Sequence, residues 1–372
     1  MKSADQDPGN TSKINDSEKW MCRALDLALR GNCTLINPRV GAVIVHDNRI
    51  IGEGYHAEFG GPHAEVVALS NVTPADQHLL RESTIYVSLE PCAHYGQTPP
   101  CVDRLIESGI PNVIISCIDP NPQVAGKGIE RLKMAGVNVE TGIMEKQGTA
   151  VLMPYLVQMK WKRPYVIIKY AQTQNGYIGQ RGSTLKITGL EADTIAHLWR
   201  SEVDAILIGR TTADEDDPRL TTRLVMGRNP IRMVIDLEQK LKRTCKVFDD
   251  AAPTIRIIND KKGVPTQSNR FKEYLLGTEI AHQNFEMPIE SERSLWAQVL
   301  GQSYQLGIGV LMVEGGAYTI QSLLESGHWD ELRRFVAPIN AGNVVAPAIS
   351  IAANRIIEVG KDKLEIFYNS EM

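Results

Sequence analysis

The sequence has no long apolar run and no recognisable export signal. Among its 372 residues, no stretch approaches the roughly 18 consecutive apolar residues that a membrane-spanning helix requires. The amino-terminal segment MKSADQDPGNTSK is polar and lacks the apolar core of a secretory signal. We therefore expect a cytoplasmic protein without a membrane partner, in which residues 1–15 form a disordered tail.

Neither sign of charge dominates the chain. The formal net charge is −4, so electrostatics give no reason to expect nucleic acid as a partner. Hydrophobic residues make up 43% of the chain and charged residues 23%, which is typical of a folded globular protein and excludes wholesale disorder. A chain of 372 residues is too long for one ordinary core, so we expect two domains.

Cysteine is also scarce. Six cysteines in a chain of this length do not form the dense pattern of a secreted disulfide scaffold, and cytoplasmic thiols are normally reduced. Two of them, Cys92 and Cys101, nevertheless lie close together in the segment LEPCAHYGQTPPC. A disulfide and a metal site both fit this spacing, and the reducing compartment favours the metal site.

A histidine and a glutamate upstream complete a pattern that is typical of zinc enzymes. In GGPHAE, His63 supplies a nitrogen to join the sulfurs of Cys92 and Cys101, and this ligand set suits Zn²⁺. Three protein ligands leave the fourth position of a tetrahedral ion open for water, as in catalytic sites. Zinc nucleobase deaminases carry His-x-Glu followed by Pro-Cys-x-x-Cys, with the glutamate moving protons. We therefore predict these three residues as ligands of one Zn²⁺ and Glu65 as the catalytic residue.

The spacing departs from that signature, because eight residues rather than two separate the cysteines. The insert AHYGQTPP is rich in turn-forming residues, so it can bulge outward while both sulfurs face inward. A structural zinc site with His94 of the insert as a fourth ligand is the alternative.

The order of apolar segments indicates two α/β domains. The segment VGAVIVHDNRIIGEGYH predicts a β-hairpin, and strands then alternate with short helices, which favours a largely parallel sheet. A helix predicted over residues 145–160 ends before Pro164, and the alternation then starts again. We expect a zinc deaminase domain at residues 16–160 and a second domain at 161–372.

The second domain carries a candidate anion site but no Gly-x-Gly-x-x-Gly after its first strand. In GVLMVEGGAYTIQSLLESG, a strand is followed by Glu314, two glycines and a helix start, where backbone N–H groups can bind phosphate. A purely structural turn is the alternative. Around the acidic, threonine-rich loop of AILIGRTTADEDDPRLTTR lie arginines that either bind a phosphate or form a solvated surface: Arg200, Arg210, Arg219 and Arg223.

Four motifs resemble the deaminase half of the bifunctional riboflavin-biosynthesis deaminase/reductase family: NPRVGAVIV, GEGYHAEFGGPHAE, LEPCAHYGQTPPC and DPNPQVAGKG. The resemblance implies a cytidine-deaminase-like three-layer domain that hydrolyses a ring amine of a diaminopyrimidinone carrying a phosphoribosylamino group. It also implies that Asn37, His56 and His94 contact this substrate. From the residues alone, Asn37 reads equally well as a turn former and His56 as an exposed loop histidine. Gln97 stands where the family often has a basic residue.

Later segments resemble the reductase half of the same family: PYVIIKYAQTQNGYIG, LWRSEVDAILIGRTTADEDDPRLTTR and VEGGAYTIQSLLESG. The resemblance implies a dihydrofolate-reductase-like domain that uses NADPH to reduce the ribose to a ribityl group. It places the NADPH contacts at Ala171, Lys186, Thr212, Asp216, Gly316, Ala317, Tyr318 and Thr319. It places the substrate contacts of this half at Thr184, Arg200, Leu220, Arg223 and Glu314.

Together these features predict a bifunctional enzyme that needs Zn²⁺ and NADPH. Its expected partners are a small phosphorylated pyrimidine and a second copy of the chain, as a homodimer. Two departures from the family lie in the second half, where Asn175 replaces an acid and Lys186 replaces an aromatic residue. One alternative is a zinc deaminase of a free nucleoside or tRNA base with an impaired or repurposed second domain, and the other is a non-catalytic, zinc-stabilised binding protein that has lost both chemistries.

Overall fold

The computed structural model describes most of the chain, in segments with short gaps: residues 16–31, 37–95, 99–121, 125–182, 185–259, 284–290 and 294–369. The predicted tail at 1–15, Gln97 and Thr184 lie outside these residues. Within the described segments, no helix is both long and apolar enough to cross a membrane.

The chain divides into two compact units. The first contains residues 38–153 and the described part of 1–32, and the second contains residues 154–369 together with Asn37. Each unit has its own sheet and helices. The prediction of two α/β halves is therefore confirmed.

The first unit is built on a five-stranded sheet. Its strands are β1 (Gly41–His46), β2 (Arg49–Tyr55), β3 (Thr84–Leu89), β4 (Asn112–Cys117) and β5 (Asn138–Thr141). Its helices are α1 (Asp16–Ala28), α2 (Ala64–Ser70), α3 (Cys101–Ser108) and α4 (Lys127–Met134), followed by α5 (Glu145–Trp161), which continues into the second unit. The strand order is β2-β1-β3-β4-β5, with β1 antiparallel to β2 and β3, and with β3, β4 and β5 parallel.

The predicted hairpin is confirmed as the antiparallel pair β1–β2. Its turn residues Asp47 and Asn48 have positive φ values of 44° and 62°, a conformation that aspartate and asparagine tolerate better than most residues. The turn returns the chain so that β2 lies at the sheet edge, beside α2.

Two glycines of β2 allow α2 to pack closely on the sheet. A Cβ atom at Gly52 would lie 2.4 Å from the carbonyl oxygen of Ala68, and one at Gly54 would lie 2.6 Å from the Ala68 nitrogen. Real Cβ atoms do not approach other atoms so closely, so only glycine fits at both positions. This close packing fixes the position of α2, whose first turn carries Glu65.

The second unit is built on a nine-stranded sheet. Its strands in chain order are β6 (Tyr165–Thr173), β8 (Ala205–Gly209), β9 (Ile231–Ile235), β10 (Thr254–Asn259), β11 (Asn284–Ile289), β12 (Val310–Val313), β13 (Glu331–Ala337), β15 (Arg355–Val359) and β16 (Asp362–Tyr368). A separate two-stranded ladder pairs β7 (Tyr177–Gly179) with β14 (Val344–Val345). The helices are α6 (Leu190–Glu202), α7 (Arg210–Asp216), α8 (Leu295–Gln305) and α9 (Ala317–Ser326).

The order of the large sheet is β11-β10-β9-β8-β12-β6-β13-β16-β15. The first seven strands in this spatial order, from β11 through β6 to β13, run parallel to their neighbours. Strand β16 is antiparallel to β13, and β15 completes the edge antiparallel to β16. The central strands are apolar along their whole length, as expected for parallel strands covered on both faces. Because parallel strands end at the same edge, the residues that follow β8 and β12 are neighbours.

Candidate active sites

A histidine and two cysteines meet where three elements of the first unit begin or end. His63 directly precedes α2 with an extended backbone, Cys92 lies three residues after β3, and Cys101 is the first residue of α3. The side chain of His63 therefore lies at the amino-terminal end of α2, and the Cys101 backbone N–H is free of intrahelical bonding and donates to Cys92 Sγ over 3.3 Å.

The geometry of this group fits a zinc ion. His63 Nδ1 lies 3.2 Å from Cys101 Sγ and 3.5 Å from Cys92 Sγ, and the three ligand atoms all lie within 4.8 Å of one another. A tetrahedral Zn²⁺ with Zn–N of about 2.0 Å and Zn–S of about 2.3 Å holds such ligands about 3.5 Å apart. Both cysteines are free, and no further group with metal-ligand spacing occurs among the residues the structure describes.

The protonation of the two cysteines also favours metal binding. The hydrogen bond from the Cys101 thiol lowers the pKa of Cys92 to about 4, and the His63 ring adds to this shift against the effect of burial. The same hydrogen bond and burial raise the pKa of Cys101. The group thus holds a thiolate at neutral pH, and thiolate is the form of cysteine that binds metal.

Glu65 lies beside this group as the second residue of α2. Its side chain is buried, and its carboxyl group interacts with the Cys101 thiol. Burial raises the pKa of the Glu65 carboxyl group, and the nearby His63 opposes this shift. The predicted zinc ligands and the predicted catalytic glutamate therefore come together in one place.

The three other residues expected to contact the first substrate differ in exposure. His56 is buried, its Nδ1 lies 3.0 Å from the Pro62 carbonyl oxygen, and its ring packs edge-on against His63 at 5.2 Å between centroids. Burial lowers the pKa of His56, so the ring is neutral: Nδ1–H donates to Pro62 and Nε2 is an acceptor. Asn37 is also buried, whereas His94 is exposed in the segment after the first cysteine.

Glu90 is a structural centre of this unit that the sequence reasoning missed. Its buried carboxylate accepts four backbone N–H groups: from Asp119 at 3.3 Å, Gly126 at 3.0 Å, Gly128 at 2.9 Å and Ile129 at 3.3 Å. The signal was present, because an acid next to Pro91 in LEPC lies at the end of a buried strand, where a carboxylate needs partners.

The loop held by Glu90 packs tightly against the strand end that carries the cysteine ligand. A Cβ atom at Gly128 would lie 2.2 Å from the Pro91 carbonyl oxygen, so only glycine fits there. Arg131 donates to the carbonyl oxygen of Ala93 over 3.4 Å and forms an ion pair with Asp103 on α3. These contacts fix the backbone on both sides of Cys92.

In the second unit, three charged side chains meet beside the middle of β6 and the carboxyl end of β12. Arg200 of α6 donates twice to Glu314, with distances of 3.0 and 2.7 Å, and Lys169 Nζ of β6 lies 3.7 Å from the same carboxylate. Lys169 was not singled out from the sequence, although a lone lysine in the apolar strand VIIKY is a recognisable signal.

Burial and the neighbouring charges shift the pKa values of this cluster in opposite directions. Burial alone would raise the pKa of Glu314, but the positive charges of Arg200 and Lys169 lower it to about 2. Burial lowers the pKa of Lys169, and Glu314 partly opposes that shift. The cluster therefore holds an ionised carboxylate next to a lysine whose proton is more easily lost than usual.

A second set of polar residues lies along α6. Asp193 pairs with Lys186 through its Oδ2 atom, and His197 accepts the backbone N–H of Arg223 at Nδ1 over 2.9 Å. Leu220, three residues before that arginine, is buried with a positive φ of 53°. Lys186 and Arg223 were expected to contact NADPH and substrate, respectively, while His197 was not predicted.

Glycines and threonines form a close-packed groove at the ends of β8 and β12. A Cβ atom at Gly209 would lie 2.3 Å from Thr319 Oγ1, one at Gly315 would lie 2.8 Å from Thr319 Cβ, and one at Gly316 would lie 2.9 Å from Thr212 Oγ1. The structure thus brings together three residues expected to contact NADPH. Helix α9 starts here with no side-chain cap, so its first backbone N–H groups receive no side-chain acceptor from the N-cap residue.

The remaining residues predicted for this half lie on β6, α7 and α9 or outside the described residues. Ala171 lies near the carboxyl end of β6, Asp216 is the last residue of α7, and Ala317 is the first of α9. Tyr318 is 88% exposed, which leaves its ring accessible to a ligand. Thr184 lies in a gap of the described residues, so the structure gives it no position.

Two family models match the chain. Residues 14–117 match the cytidine and deoxycytidylate deaminase zinc-binding region, and residues 164–353 match the RibD C-terminal domain. Riboflavin biosynthesis protein RibD of Aquifex aeolicus (strain VF5) is 35% identical over 365 residues, which cover 94% of this chain and 98% of that protein. These matches confirm the predicted deaminase fold of the first half and the reductase fold of the second.

Solved structures agree with this similarity. The deaminase/reductase of Thermotoga maritima, which acts as a diaminohydroxyphosphoribosylaminopyrimidine deaminase and a 5-amino-6-(5-phosphoribosylamino)uracil reductase, superposes with a TM-score of 0.80 at 32% identity. That match covers 95% of this chain and 99% of the other. A RibD structure from Acinetobacter baumannii gives a TM-score of 0.78 at 30% identity and covers 96% of this chain and 100% of the other.

Proposed function

The chain belongs to the RibD family of riboflavin biosynthesis proteins, and from that membership we propose how its residues carry out the two reactions. It is a bifunctional enzyme, a zinc-dependent deaminase and an NADPH-dependent reductase. A deaminase of free nucleosides or tRNA bases with an impaired second half is not favoured, because both halves match the family along their length.

The proposal assigns deamination to residues 16–160 and reduction to residues 161–372. The first substrate is a diaminopyrimidinone ribosyl phosphate, whose ring amine is hydrolysed to a carbonyl with release of ammonia. The second is the resulting aminouracil, whose ribose is reduced to a ribityl chain.

The enzyme acts in the cytoplasm as a homodimer. Size-exclusion chromatography with light scattering would test the oligomeric state, and a monomer at working concentration would contradict the dimer.

In the first reaction, His63, Cys92 and Cys101 would hold the zinc ion. When bound, the ion supplies Lewis acidity that activates a water molecule at neutral pH. Glu65 would take a proton from the attacking water and return a proton to the amine as the C–N bond breaks and ammonia leaves. His56, which is buried and packs edge-on against His63, is a proposed substrate contact beside the metal ligands.

Asn37 and His94 complete the proposed contacts with the first substrate. Asn37 is buried, so it offers an amide that is shielded from water, whereas His94 is exposed and can reach the ribosyl phosphate. Their roles would be tested by a rise in KM for the first substrate on Asn37→Ala or His94→Ala; unchanged KM values would remove them from the site.

In the second reaction, the substrate binds beside the Lys169–Arg200–Glu314 cluster. Burial and the charges of Arg200 and Arg219 lower the pKa of Arg223, which means that positive charge is concentrated there and would be relieved by a phosphate. Glu314 is held ionised and accepts hydrogen bonds from the sugar, while Lys169 donates to the substrate.

NADPH supplies the hydride for this step. Its phosphates would lie against the groove formed by Gly316 and the start of α9, where backbone N–H groups are available. Other contacts expected in this half are those of Ala171, Lys186, Thr212, Asp216, Ala317, Tyr318 and Thr319 with the cofactor, and those of Thr184 and Leu220 with the substrate.

The observation that carries the proposal is the close group of His63, Cys92 and Cys101 with the buried Glu65 beside it. Proton transfer by a positioned side chain contributes about 10²–10⁴-fold to a rate. Glu65→Gln should therefore slow ammonia release from the diaminopyrimidinone by at least about 100-fold, while NADPH oxidation with the deaminated product stays within about twofold of the wild type.

Glu107→Gln serves as the matched control, because Glu107 is exposed in the last turn of α3. The control variant should release ammonia at the wild-type rate, and all three proteins should contain equal zinc by elemental analysis. Full ammonia release by Glu65→Gln would contradict the proposed role of Glu65. No NADPH oxidation by the wild type would contradict the reductase assignment.

A further inference from the structure

His197 is a buried histidine at the second site that the mechanism above does not use. It lies on α6 one turn before Arg200 and is 6% exposed. Asp193, His197 and Arg200 are spaced by four and three residues, so they lie on the same face of the helix. On that face, the side chain of Asp193 contacts Lys186. His197 contacts the backbone of Arg223, and Arg200 contacts Glu314.

The contact of His197 is with the backbone of Arg223. The Arg223 N–H donates to His197 Nδ1 over 2.9 Å, although the two residues are 26 positions apart in the chain. The guanidinium of Arg223 turns back to Thr221, donating to its carbonyl oxygen over 3.2 Å and to its hydroxyl oxygen over 2.9 Å. The position of the guanidinium therefore depends on the local backbone.

That backbone has an unusual conformation. Leu220 is buried with φ of 53°, a region that non-glycine residues occupy at an energetic cost and only when the surroundings hold them there. The Thr222 N–H donates to Asn229 Oδ1 over 2.9 Å, which holds the segment from its own loop. His197 holds it from α6, the helix that carries Arg200.

The protonation state of His197 suits an acceptor. Burial, together with the positive charges of Arg200 and Arg223, lowers the pKa of His197 to about 4, against the effects of Glu314 and Asp193. The ring is therefore neutral at physiological pH, with Nδ1 as the acceptor and the proton on Nε2.

We propose that His197 is a positioning residue of the reductase site, which fixes the backbone of Arg223 so that its guanidinium meets the anionic group of the substrate. The inference rests on the proposed function, because it concerns the phosphorylated substrate of that site. It adds a specific role: the Nδ1 atom of a neutral histidine links helix α6 to the loop that recognises the substrate.

Two amide substitutions separate this role from a general need for a buried ring. Asparagine can place its Oδ1 near the position of Nδ1, whereas the longer glutamine places its oxygen near the position of Nε2. His197→Asn should therefore keep the acceptor for the Arg223 N–H, and His197→Gln should lose it. A buried N–H without its acceptor should raise the KM for 5-amino-6-(5-phosphoribosylamino)uracil about tenfold in His197→Gln, with kcat and the Kd of NADPH nearly unchanged.

A double variant tests whether His197 acts through Arg223. Arg223→Ala should itself raise KM, and adding His197→Gln to it should raise KM no further, because residues that act through one another are not additive. Full additivity would overturn the proposal. It would also be overturned if His197→Asn and His197→Gln raised KM equally, or if kcat and NADPH binding fell along with a lower Tm, since either result indicates a packing role.

The wild type distinguishes failure of this inference from failure of the proposed function. If the wild-type chain does not oxidise NADPH with the deaminated substrate, the function is wrong and the inference falls with it. If it does, while the His197 variants behave as the wild type, only the inference is wrong. Ammonia release checks that the first unit of each variant is folded, and the Tm together with the Kd of NADPH checks the second unit.

Discussion

Three glutamates of this chain, the buried Glu65 and Glu90 and the partly buried Glu314, differ in what surrounds their carboxyl groups. Glu65 lies beside a cysteine thiol, and burial raises its pKa. Glu314 lies between Arg200 and Lys169, and their positive charges lower its pKa to about 2 even though burial acts in the opposite direction. Glu90 accepts four backbone N–H groups. The surroundings fit these residues for proton transfer, charge stabilisation and loop anchoring, respectively.

The lowered pKa of Glu314 predicts that the stability of the second unit depends on pH. Its folded-state pKa of about 2 lies below the ordinary value of 4.5, so the unfolded chain binds a proton first as the pH falls. The stabilisation by ionised Glu314 is therefore complete above about pH 5 and declines as the pH falls from about 4.5 towards 2. Glu314→Gln should destabilise the second unit by about 3–5 kcal/mol at pH 7, and by less at pH 4.

Thermal unfolding of the wild type and the variant at pH 7, 5 and 4 checks this prediction. The difference in Tm should be constant between pH 7 and 5 and smaller at pH 4. The exposed Glu358 offers a control, and Glu358→Gln should change Tm little at any of these values. A Tm difference that grows towards low pH would show that the carboxylate is not ionised in the folded protein.

At the scale of elements, the sequence predicts structure within one contiguous segment but does not predict side-chain contacts between distant segments. The β1–β2 hairpin and the strand–turn–helix around Glu314 follow from turn residues and apolar runs that are contiguous in the sequence. The zinc group was also predictable, because each of its residues stands in a short motif. By contrast, Lys169 acquires its role from a residue 145 positions away, and Glu90 from a loop that begins 29 positions later.

The edge of the large sheet was missed for a different reason. Strands β15 and β16 form an antiparallel pair around Gly360, which has a positive φ of 59°. The segment RIIEVGKDKLEIFY carries the signal of two short strands joined by a turn, but no expectation was drawn from it. The omission concerns one edge of the sheet.

The anchoring of a loop by Glu90 predicts an effect of removing one carboxylate oxygen. In Glu90→Gln, the side-chain amide retains one acceptor oxygen, and its NH₂ group faces two of the four backbone donors. Each buried N–H left without an acceptor costs about 1–3 kcal/mol. We expect the first unit to lose several kcal/mol of stability and the amides of Gly126 and Gly128 to exchange faster with solvent.

Hydrogen exchange followed by mass spectrometry measures this change. Glu130→Gln is the matched control, because Glu130 is exposed on α4 in the same segment, and it should leave exchange unchanged. Zinc content should stay near one per chain in both variants, since neither residue is a ligand. If Glu90→Gln left both the exchange rates and the stability as in the wild type, the loop would be held by other contacts.

At the scale of the whole molecule, one chain carries two chemistries with separate requirements. The proposed zinc ligands and Glu65 all lie in the first compact unit, and the Lys169–Arg200–Glu314 cluster and the glycine-rich groove all lie in the second. The deaminase reaction needs a metal ion and a residue that transfers protons. The reductase reaction needs a bound dinucleotide and the charged side chains of the Lys169–Arg200–Glu314 cluster. Because no catalytic group is shared, a change in one site should leave the chemistry of the other intact.

This separation predicts that two singly inactivated chains can complement each other. Glu65→Gln should stop deamination and keep reduction, and Glu314→Gln should do the reverse. A mixture of the two proteins with the diaminopyrimidinone substrate and NADPH should form the ribityl product, since the aminouracil released by one chain can bind the second site of the other. The appearance of that product, followed by chromatography, checks the prediction, with each variant alone as the control. No product from the mixture, when each variant retains its own half-reaction, would mean that the intermediate does not leave the chain that forms it.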